Sequence, residues 1–307
     1  MILITEFMDQ TAVDQLKSKA PVIYAPDLAD RPSDIPAMLG EVQALIVRNR
    51  TRVTEDLLDA APALSVVGRL GVGLDNIDQT ACVDRGVKVI PATGANNVSV
   101  AEYVVTSALV LLRNAFQAND RMLEGRWPRQ HCAGREAWGK TLGLVGYGAI
   151  ARQTADRAIA LGLEVCAHDP FVPTDDPAWE GVAPLSLDDL LQSADVVSLH
   201  LPLTHETRHL INADSLSLMR PDSVLINAAR GGIVDEHALA EVLRGGQLAG
   251  AALDVFETEP LTAEAAEKFR GLGNLILTPH IAGVTQESNI RVSGTIADAV
   301  LETLNIA

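Results

Sequence analysis

The chain has 307 residues, enough for two ordinary domains, and 48% of them are hydrophobic, enough for a sizeable core. With 40 Asp and Glu against 24 Lys and Arg, the formal charge is −16, which argues against nucleic acid and anionic membranes as partners. Three scattered cysteines, Cys82, Cys132 and Cys166, make neither a metal-type pair nor a disulfide framework and read as reduced thiols. MILITEF lacks a basic leader, and no apolar run approaches the roughly 20 residues a bilayer span needs, so a cytoplasmic protein is expected.

In chain order, ILIT, PVIYA, ALIV, SVVG and KVI are strand-like, and TAVDQLKSKA, DIPAMLGEV and TEDLLDAA between them have a helical period. Such alternation predicts a parallel sheet with crossover helices up to about Pro91. Residues 98–124 contain no Gly or Pro and predict one helix of roughly 40 Å, at about 1.5 Å per residue. A second series follows: strands TLGLVG, LEVCAHD, DVVSLHL, SVLINAA, GAALDV and LILTP, with helices at 149–161, 186–192, 212–218 and 235–244. A last helix is expected over 285–304.

Directly after ALIV comes RNRTR. If the strand continues, Arg48, Arg50 and Arg52 share a side. Two readings stay open: an anion site, or surface pairing with the abundant acids, which is common and weak.

LGLV runs into Gly146-Tyr147-Gly148-Ala149-Ile150-Ala151, then a helical period, then a strand ending at Asp169. Gly146 permits the tight turn, Gly148 lets a pyrophosphate approach the backbone, and a small third residue packs helix on strand. The helix N-terminus offers free N–H groups to phosphates. A strand-end acid at this spacing receives ribose hydroxyls. PFVPT follows Asp169 and brings no cation for a 2′-phosphate, so NAD is expected over NADP.

His205-Glu206-Thr207-Arg208-His209 matches H-E-x-x-H, which binds zinc when it lies inside a helix. Pro202 and Thr204 argue for a loop instead, so no metal is expected and a zinc peptidase is only a remote alternative. His200 and His205 are expected as loop residues on the adenosine side.

Three later strands end in chemistry: Arg230 after SVLINAA, Asp254, Glu257 and Glu259 after GAALDV, and His280 after LILTP. Ligands bind at such strand ends in open α/β sheets. A 2-keto acid needs a proton donor for its carbonyl oxygen and a cation for its carboxylate. His titrates near neutral pH, a neighbouring carboxylate holds its imidazolium, and Arg offers a planar fork.

GRLGVGLDNID, NNVSVAEYVV, LGLVGYGAIA, SLHLPLTHETRHLIN, LINAARGGIVDEHAL, ALDVFETEP and LTPHIAG span about residues 48–284. Together they resemble the D-isomer-specific 2-hydroxyacid dehydrogenases, especially the short phosphoglycerate-dehydrogenase-like branch. The family usually has Pro where this chain has His205, and that departure creates the zinc-like motif.

The resemblance implies an α/β fold of two Rossmann-like domains with parallel sheets: a discontinuous substrate domain (1–95 and 285–307) and an NAD-binding domain (96–284), with a closing cleft and homodimers built through the cofactor domain. A chain ending at Ala307 would lack the regulatory domain of some phosphoglycerate dehydrogenases. The implied reaction is NAD-dependent interconversion of a small anionic 2-hydroxy acid and its 2-keto acid. An NAD(H)-binding sensor or corepressor of the same fold is the alternative.

By the same resemblance, His280 is the general acid/base, Glu259 its partner and Arg230 the carboxylate clamp. Leu70, Gly71, Val72 and Gly73 form an amide cradle for the carboxylate, with Asp75 and Asn76 behind it. Around the cofactor it implies Thr106 and Asp254 on the nicotinamide side and Pro170 beside Asp169. It also implies the loop residues His200, Leu201, Pro202 and Thr207, and Ala228, Ala229 and Gly283 beside the catalytic set. Trp127 and Arg129 match a GxWxR segment, with Trp127 packing in the core or an interface. Arg48, alone or with Arg50, would suit a second anionic group on a phosphoglycerate-like or sulfolactate-like substrate.

Overall fold

The structure, a computed structural model, describes residues 1–116, 118–173 and 175–306. The chain divides into two compact units, Met1–Asn96 with Val284–Ala307, and Asn97–Gly283.

The first unit is a parallel sheet of β1 (Ile2–Ile4), β2 (Val22–Tyr24), β3 (Ala44–Val47), β4 (Val66–Arg69) and β5 (Lys88–Pro91), in the order β2-β1-β3-β4-β5. Both faces are buried, so these strands read as unbroken apolar runs. Ile2, Ile4, Ala44, Ile46 and Val66 pack against α1 (Gln10–Lys19) and the C-terminal helix (Gln286–Thr303). Leu3, Leu45, Val47 and Val67 point the other way, toward α2 (Glu55–Asp59) and α3 (Gln79–Asp84). Gly68 lets the C-terminal helix approach: a Cβ there would sit 2.7 Å from Ile296 Cγ2.

DIPAMLGEV is not a helix. The connection runs through three 3₁₀ turns, Leu28–Asp30, Pro32–Asp34 and Pro36–Met38. The apolar spacing is real, since Leu28, Ile35 and Leu39 are buried. Pro32 and Pro36 supply no N–H and obstruct a continuous i→i−4 ladder.

The second unit begins with α4 (Asn97–Arg113), which stops well short of residue 124, and a separate short helix α5 (Asn119–Leu123) follows. Asn114 turns left-handed at φ +49°, a conformation Asn tolerates at a helix end. Leu112 O accepts from Arg135 N at 2.8 Å, so a later segment caps the helix. The seven strands are β6 (Thr141–Val145), β7 (Glu164–His168), β8 (Ala183–Pro184), β9 (Val196–Leu199), β10 (Val224–Asn227), β11 (Gly250–Leu253) and β12 (Leu275–Leu277). They form one parallel sheet, β12-β11-β10-β9-β6-β7-β8, whose order reverses at β6. That reversal is where a doubly wound sheet receives its ligand. α4 and α6 (Ala149–Ala160) cover one face. α7 (Leu187–Ser193), α8 (Ala213–Leu218) and α9 (Glu236–Arg244) cover the other.

None of the described helices is long and apolar enough to cross a membrane.

Candidate active site

Gly146 leaves β6 at φ +89°, and a Cβ there would meet the His200 carbonyl oxygen at 2.6 Å. Only glycine fits. A Cβ on Gly148 would meet nothing within 4 Å, so the face over the loop is open. Gly148 caps α6 without any side-chain hydrogen bond, which leaves the first-turn N–H groups to a ligand. The Tyr147 ring turns inward and stacks on Trp179, centroids 5.0 Å apart and planes 9° apart. Arg152 lies 5.4 Å from the Tyr147 ring centroid.

Asp169 stands just past β7. Its Oδ2 accepts from Tyr147 N at 2.8 Å and its Oδ1 from Phe171 N at 3.0 Å. A carboxylate has about four lone-pair sites, so both oxygens keep capacity for ribose hydroxyls. Open space over Gly148, an uncapped helix start and a pre-oriented acid fit NAD.

His200 is structural at this loop: its N–H donates to Val145 O at 2.7 Å and its Nε2 lies 3.0 Å from Ser198 Oγ. Burial pushes its imidazole pKa down to about 4, so it is neutral at neutral pH. Thr207 Oγ1 donates to Pro202 O at 2.7 Å and so closes the loop carrying Leu201 and Pro202. His205–His209 is a run of turns, with no helix to align two histidines. His209 Nε2 instead lies 3.1 Å from Glu257 Oε1.

Arg230, Glu259 and His280 come together at the ends of β10, β11 and β12. His280 Nδ1 is 2.7 Å from Glu259 Oε2, and Glu259 Oε1 accepts from Phe256 N at 3.0 Å. Burial works to raise the Glu259 pKa, but the bonds from His280 and Phe256 N–H and the charges of His280 and Arg230 hold it below the usual carboxylate value. Glu259 is therefore an anion suited to accept from Nδ1–H, which leaves Nε2 as the ring nitrogen for proton exchange. Asn227 fixes the Arg230 turn: its Nδ2 donates to Arg230 O at 2.9 Å and its Oδ1 accepts from Ala229 N at 3.1 Å. Ala228 and Ala229 are half-buried in that turn, and Thr106 is exposed on α4.

Asp254 is 1% exposed and shapes the loop that carries His280. Its Oδ1 accepts from Thr278 Oγ1 at 2.6 Å and Ile281 N at 2.8 Å, and its Oδ2 from Ala282 N at 2.8 Å. The Tyr103 hydroxyl extends the chain, 2.6 Å from Thr278 Oγ1. His280 itself sits at φ +53°, a local strain that this network sustains. The half-buried Gly283 ends the segment. Sequence reading missed Thr278, Tyr103 and Asn227. The only signal for Thr278 and Asn227 is a polar residue at a strand end, and Tyr103 lies within α4 with no such signal.

In the first unit, β3 stops at Val47, so the three arginines do not alternate along a strand. Residues 48–51 instead curl around Glu6, which is 4% exposed. Its Oε1 accepts from Arg48 N at 2.8 Å and Thr51 N at 2.9 Å, and its Oε2 from Arg50 N at 3.1 Å and Asn49 N at 3.3 Å. This is an anion-binding nest already filled by the chain's own carboxylate. The side chains diverge: Arg48 Nη2 donates to Asn289 Oδ1 at 2.9 Å, Arg50 pairs with Asp30, and Arg52 is exposed. Burial draws the Arg48 pKa below its usual value against the opposing pull of Glu6, yet a guanidinium stays charged at neutral pH.

Leu70 N donates to Val47 O at 2.8 Å, which sets the Leu70–Gly73 turn beside this loop, and Ala92 N donates to Gly71 O at 2.9 Å. A Cβ on Gly71 would lie 1.5 Å from Arg69 Nη1. Val72 and Gly73 are half-buried. Asn76 Nδ2 donates to Thr51 O at 2.6 Å and ties the two segments together.

Residues 105–282 match the sequence family described as D-isomer specific 2-hydroxyacid dehydrogenase, NAD binding domain. The chain is 54% identical over 306 residues to an (S)-sulfolactate dehydrogenase of Chromohalobacter salexigens, covering 99% of this chain and 98% of that one. It is 37% identical to a D-3-phosphoglycerate dehydrogenase of Synechocystis over 99% of its own length but 54% of that protein's. A D-lactate dehydrogenase from Aquifex aeolicus, solved with NAD and lactic acid, superposes with a TM-score of 0.88 at 30% identity, over 99% of this chain and 96% of that one. The chain belongs to the D-isomer specific 2-hydroxyacid dehydrogenase family, and it is an NAD-dependent oxidoreductase that interconverts 2-hydroxy and 2-keto acids.

Proposed function

We propose that the substrate is a 2-hydroxy acid with a second, strongly acidic group, of the sulfolactate class, and that Arg48 receives that group. The observation that carries this reading is the half-buried guanidinium of Arg48, in a chain 54% identical to an (S)-sulfolactate dehydrogenase. The amide nest of residues 48–51 is occupied by Glu6, so a distal anion must be met by side chains. Asn289 orients Arg48 through a neutral bond, and the nearby Glu6 carboxylate is taken up by the amides of residues 48–51.

Arg230 binds the carboxylate and polarises the carbonyl, with the Leu70–Gly73 amides as the second carboxylate contact. In the reductive direction His280 Nε2–H gives its proton to the carbonyl oxygen while Glu259 stabilises the imidazolium; in oxidation His280 takes it back. NAD, when bound, accepts or donates the hydride. Gly146–Ile150 and the start of α6 hold its pyrophosphate, and Asp169 its ribose.

In this reading residues 1–95 and 285–307 carry substrate recognition and residues 96–284 hold NAD. Homodimer formation is supported by the exposure of four large apolar side chains in the second unit, Phe116, Leu123, Trp127 and Trp138. Trp127 is 77% exposed, so it is not core. A cytoplasmic setting accords with three free cysteines.

The test is NADH oxidation measured on sulfopyruvate, 3-phosphohydroxypyruvate, hydroxypyruvate, pyruvate and glyoxylate. Sulfopyruvate should give the highest kcat/KM. Arg48→Ala should lower kcat/KM for the dianions by 100-fold or more and for the monoanions by less than 5-fold. An equal loss on both classes overturns the assignment.

A further inference from the structure

Behind the Glu259–His280 pair lies a second, deeper ion pair that the chemistry above does not use. Glu236 is the first residue of α9 and its side chain is 3% exposed; its Oε2 is 2.5 Å from Lys268 Nζ. A buried carboxylate with a cation partner is costly to desolvate, and a hydrophobic pair would pack a helix start as well. Its other oxygen, Oε1, accepts from Glu257 N at 2.7 Å. Glu257 answers in kind: its Oε1 accepts from Glu236 N at 3.4 Å and lies 3.1 Å from His209 Nε2.

The peptide unit held in this way is the one between Phe256 and Glu257. Gly231 packs closely on its carbonyl side, where a Cβ on Gly231 would stand 1.8 Å from Phe256 O. A peptide plane held at its N–H and crowded at its C=O leaves the adjoining residue little room to rotate. That residue is Phe256, whose own N–H donates to Glu259 Oε1. His209 N also donates to Gly232 O at 2.8 Å, so the loop after β9 joins the same junction.

We propose that Glu236, with Lys268 as its counter-ion and Glu257 as its reciprocal partner, is a positioning residue for the reaction: it locks the 256–257 peptide and so aims Glu259 at His280. The clamp also keeps the Arg230 turn and the Glu259 loop in register. This inference rests on the Glu259–His280 pair being the acid/base machinery.

The experiment is a double-mutant cycle on Glu236 and Glu259, with NADH and each of sulfopyruvate, hydroxypyruvate and glyoxylate as probes. Glu236→Ala should lower kcat 10- to 100-fold, leave KM and the NADH dissociation constant within 3-fold, and move the acidic limb of kcat toward neutral pH. Glu236→Gln, which keeps an oxygen for Glu257 N–H, should recover at least 10-fold of a 100-fold loss, or most of a smaller one. In a Glu259→Gln background Glu236→Ala should cost less than 2-fold more. Where Glu236→Ala fails to fold, Glu236→Asp serves in the same cycle, because it keeps the charge beside Lys268 but withdraws the oxygen. Unchanged kcat per folded enzyme, or losses that multiply fully across the cycle, would overturn the clamp. Full turnover by Glu259→Gln alone would instead remove the acid/base pair on which it rests.

Discussion

His280 Nδ1 lies 2.7 Å from Glu259 Oε2, and the same carboxylate is tied through its other oxygen to the Phe256 amide. The pair is thus oriented from both sides. Glu259→Gln keeps the shape but removes the anion that stabilises imidazolium. The expected result is a kcat loss of about 100- to 1,000-fold, of the size that general acid–base catalysis supplies. His280→Ala should lose at least as much. Steady-state NADH oxidation checks both; a Glu259→Gln enzyme within 5-fold of the parent would refute the assignment.

The Glu259 carboxyl is held below its ordinary value, against burial, by the His280 and Phe256 hydrogen bonds and the nearby positive charges. A carboxylate with a depressed folded-state pKa contributes stability above its unfolded value and loses it as pH falls through the folded one. Acid inactivation through this group should therefore begin only below the ordinary Glu range. The pH dependence of reversible activity loss, compared with Glu259→Gln, reads this directly.

Most strands were legible because they are apolar on both faces: ALIV and LGLV announce themselves as buried parallel strands. The three strand-end residues of the site were legible for a related reason, since a charged group directly after such a run has little structural use. What escaped was set by distant partners. The break after Arg113 carries no Gly or Pro, and its cap comes from Arg135 N. Whether RNRTR continues the strand is not set by its own residues: Glu6, 42 residues before Arg48, bends it. DIPAMLGEV has the apolar spacing of a helix, and Pro36, with Pro32 just before the stretch, outweighs the spacing. Thr278 and Tyr103 are ordinary polar residues until the fold sets them 2.6 Å apart beside Asp254.

Asp254 accepts three hydrogen bonds on a carboxylate that is almost fully buried. Asp254→Asn would face an amide N–H₂ against at least one of those donors. Leaving a buried donor unsatisfied costs on the order of 1–3 kcal/mol, more when the lost partner was charged. The variant should lose about 2–4 kcal/mol in urea unfolding and, through the displaced His280 loop, at least 10-fold in kcat. Loss of stability with kcat intact would confine Asp254 to folding.

Asp169 is aimed by Tyr147 N and Phe171 N, and a negative charge there opposes a 2′-phosphate. Asp169→Ala should raise KM for NADH about 10- to 100-fold and KM for NADPH much less, or lower it. The ratio of the two kcat/KM values is the measurement; an unchanged ratio would refute the role.

Burial lowers the His200 imidazole from 6.5 to about 4. Between those values the unfolded chain binds the proton and the folded chain does not, so stability falls as pH drops through that window and levels off below it. At about 1.4 kcal/mol per pH unit, the full interval is on the order of 3 kcal/mol. His200→Gln retains the backbone bond to Val145 O and should flatten the decline between pH 6.5 and 4. Thermal unfolding of both proteins across that range decides it.

Glu6 accepts from four consecutive amides, Arg48 to Thr51, that would otherwise lose this acceptor. Glu6→Ala leaves those N–H groups to find water, and the same unsatisfied-donor cost applies to several at once. The expected destabilisation is roughly 3–5 kcal/mol. Glu6→Gln presents one oxygen and one N–H₂ to the same donors and should lose about half as much. The two variants also separate folding from recognition. If the nest only shapes the loop, both should bind dianionic and monoanionic keto acids with equally raised KM. If Glu6 holds Arg48 in place for the distal group, the dianion KM should rise at least 10-fold more than the monoanion KM, and an equal rise would exclude that second role.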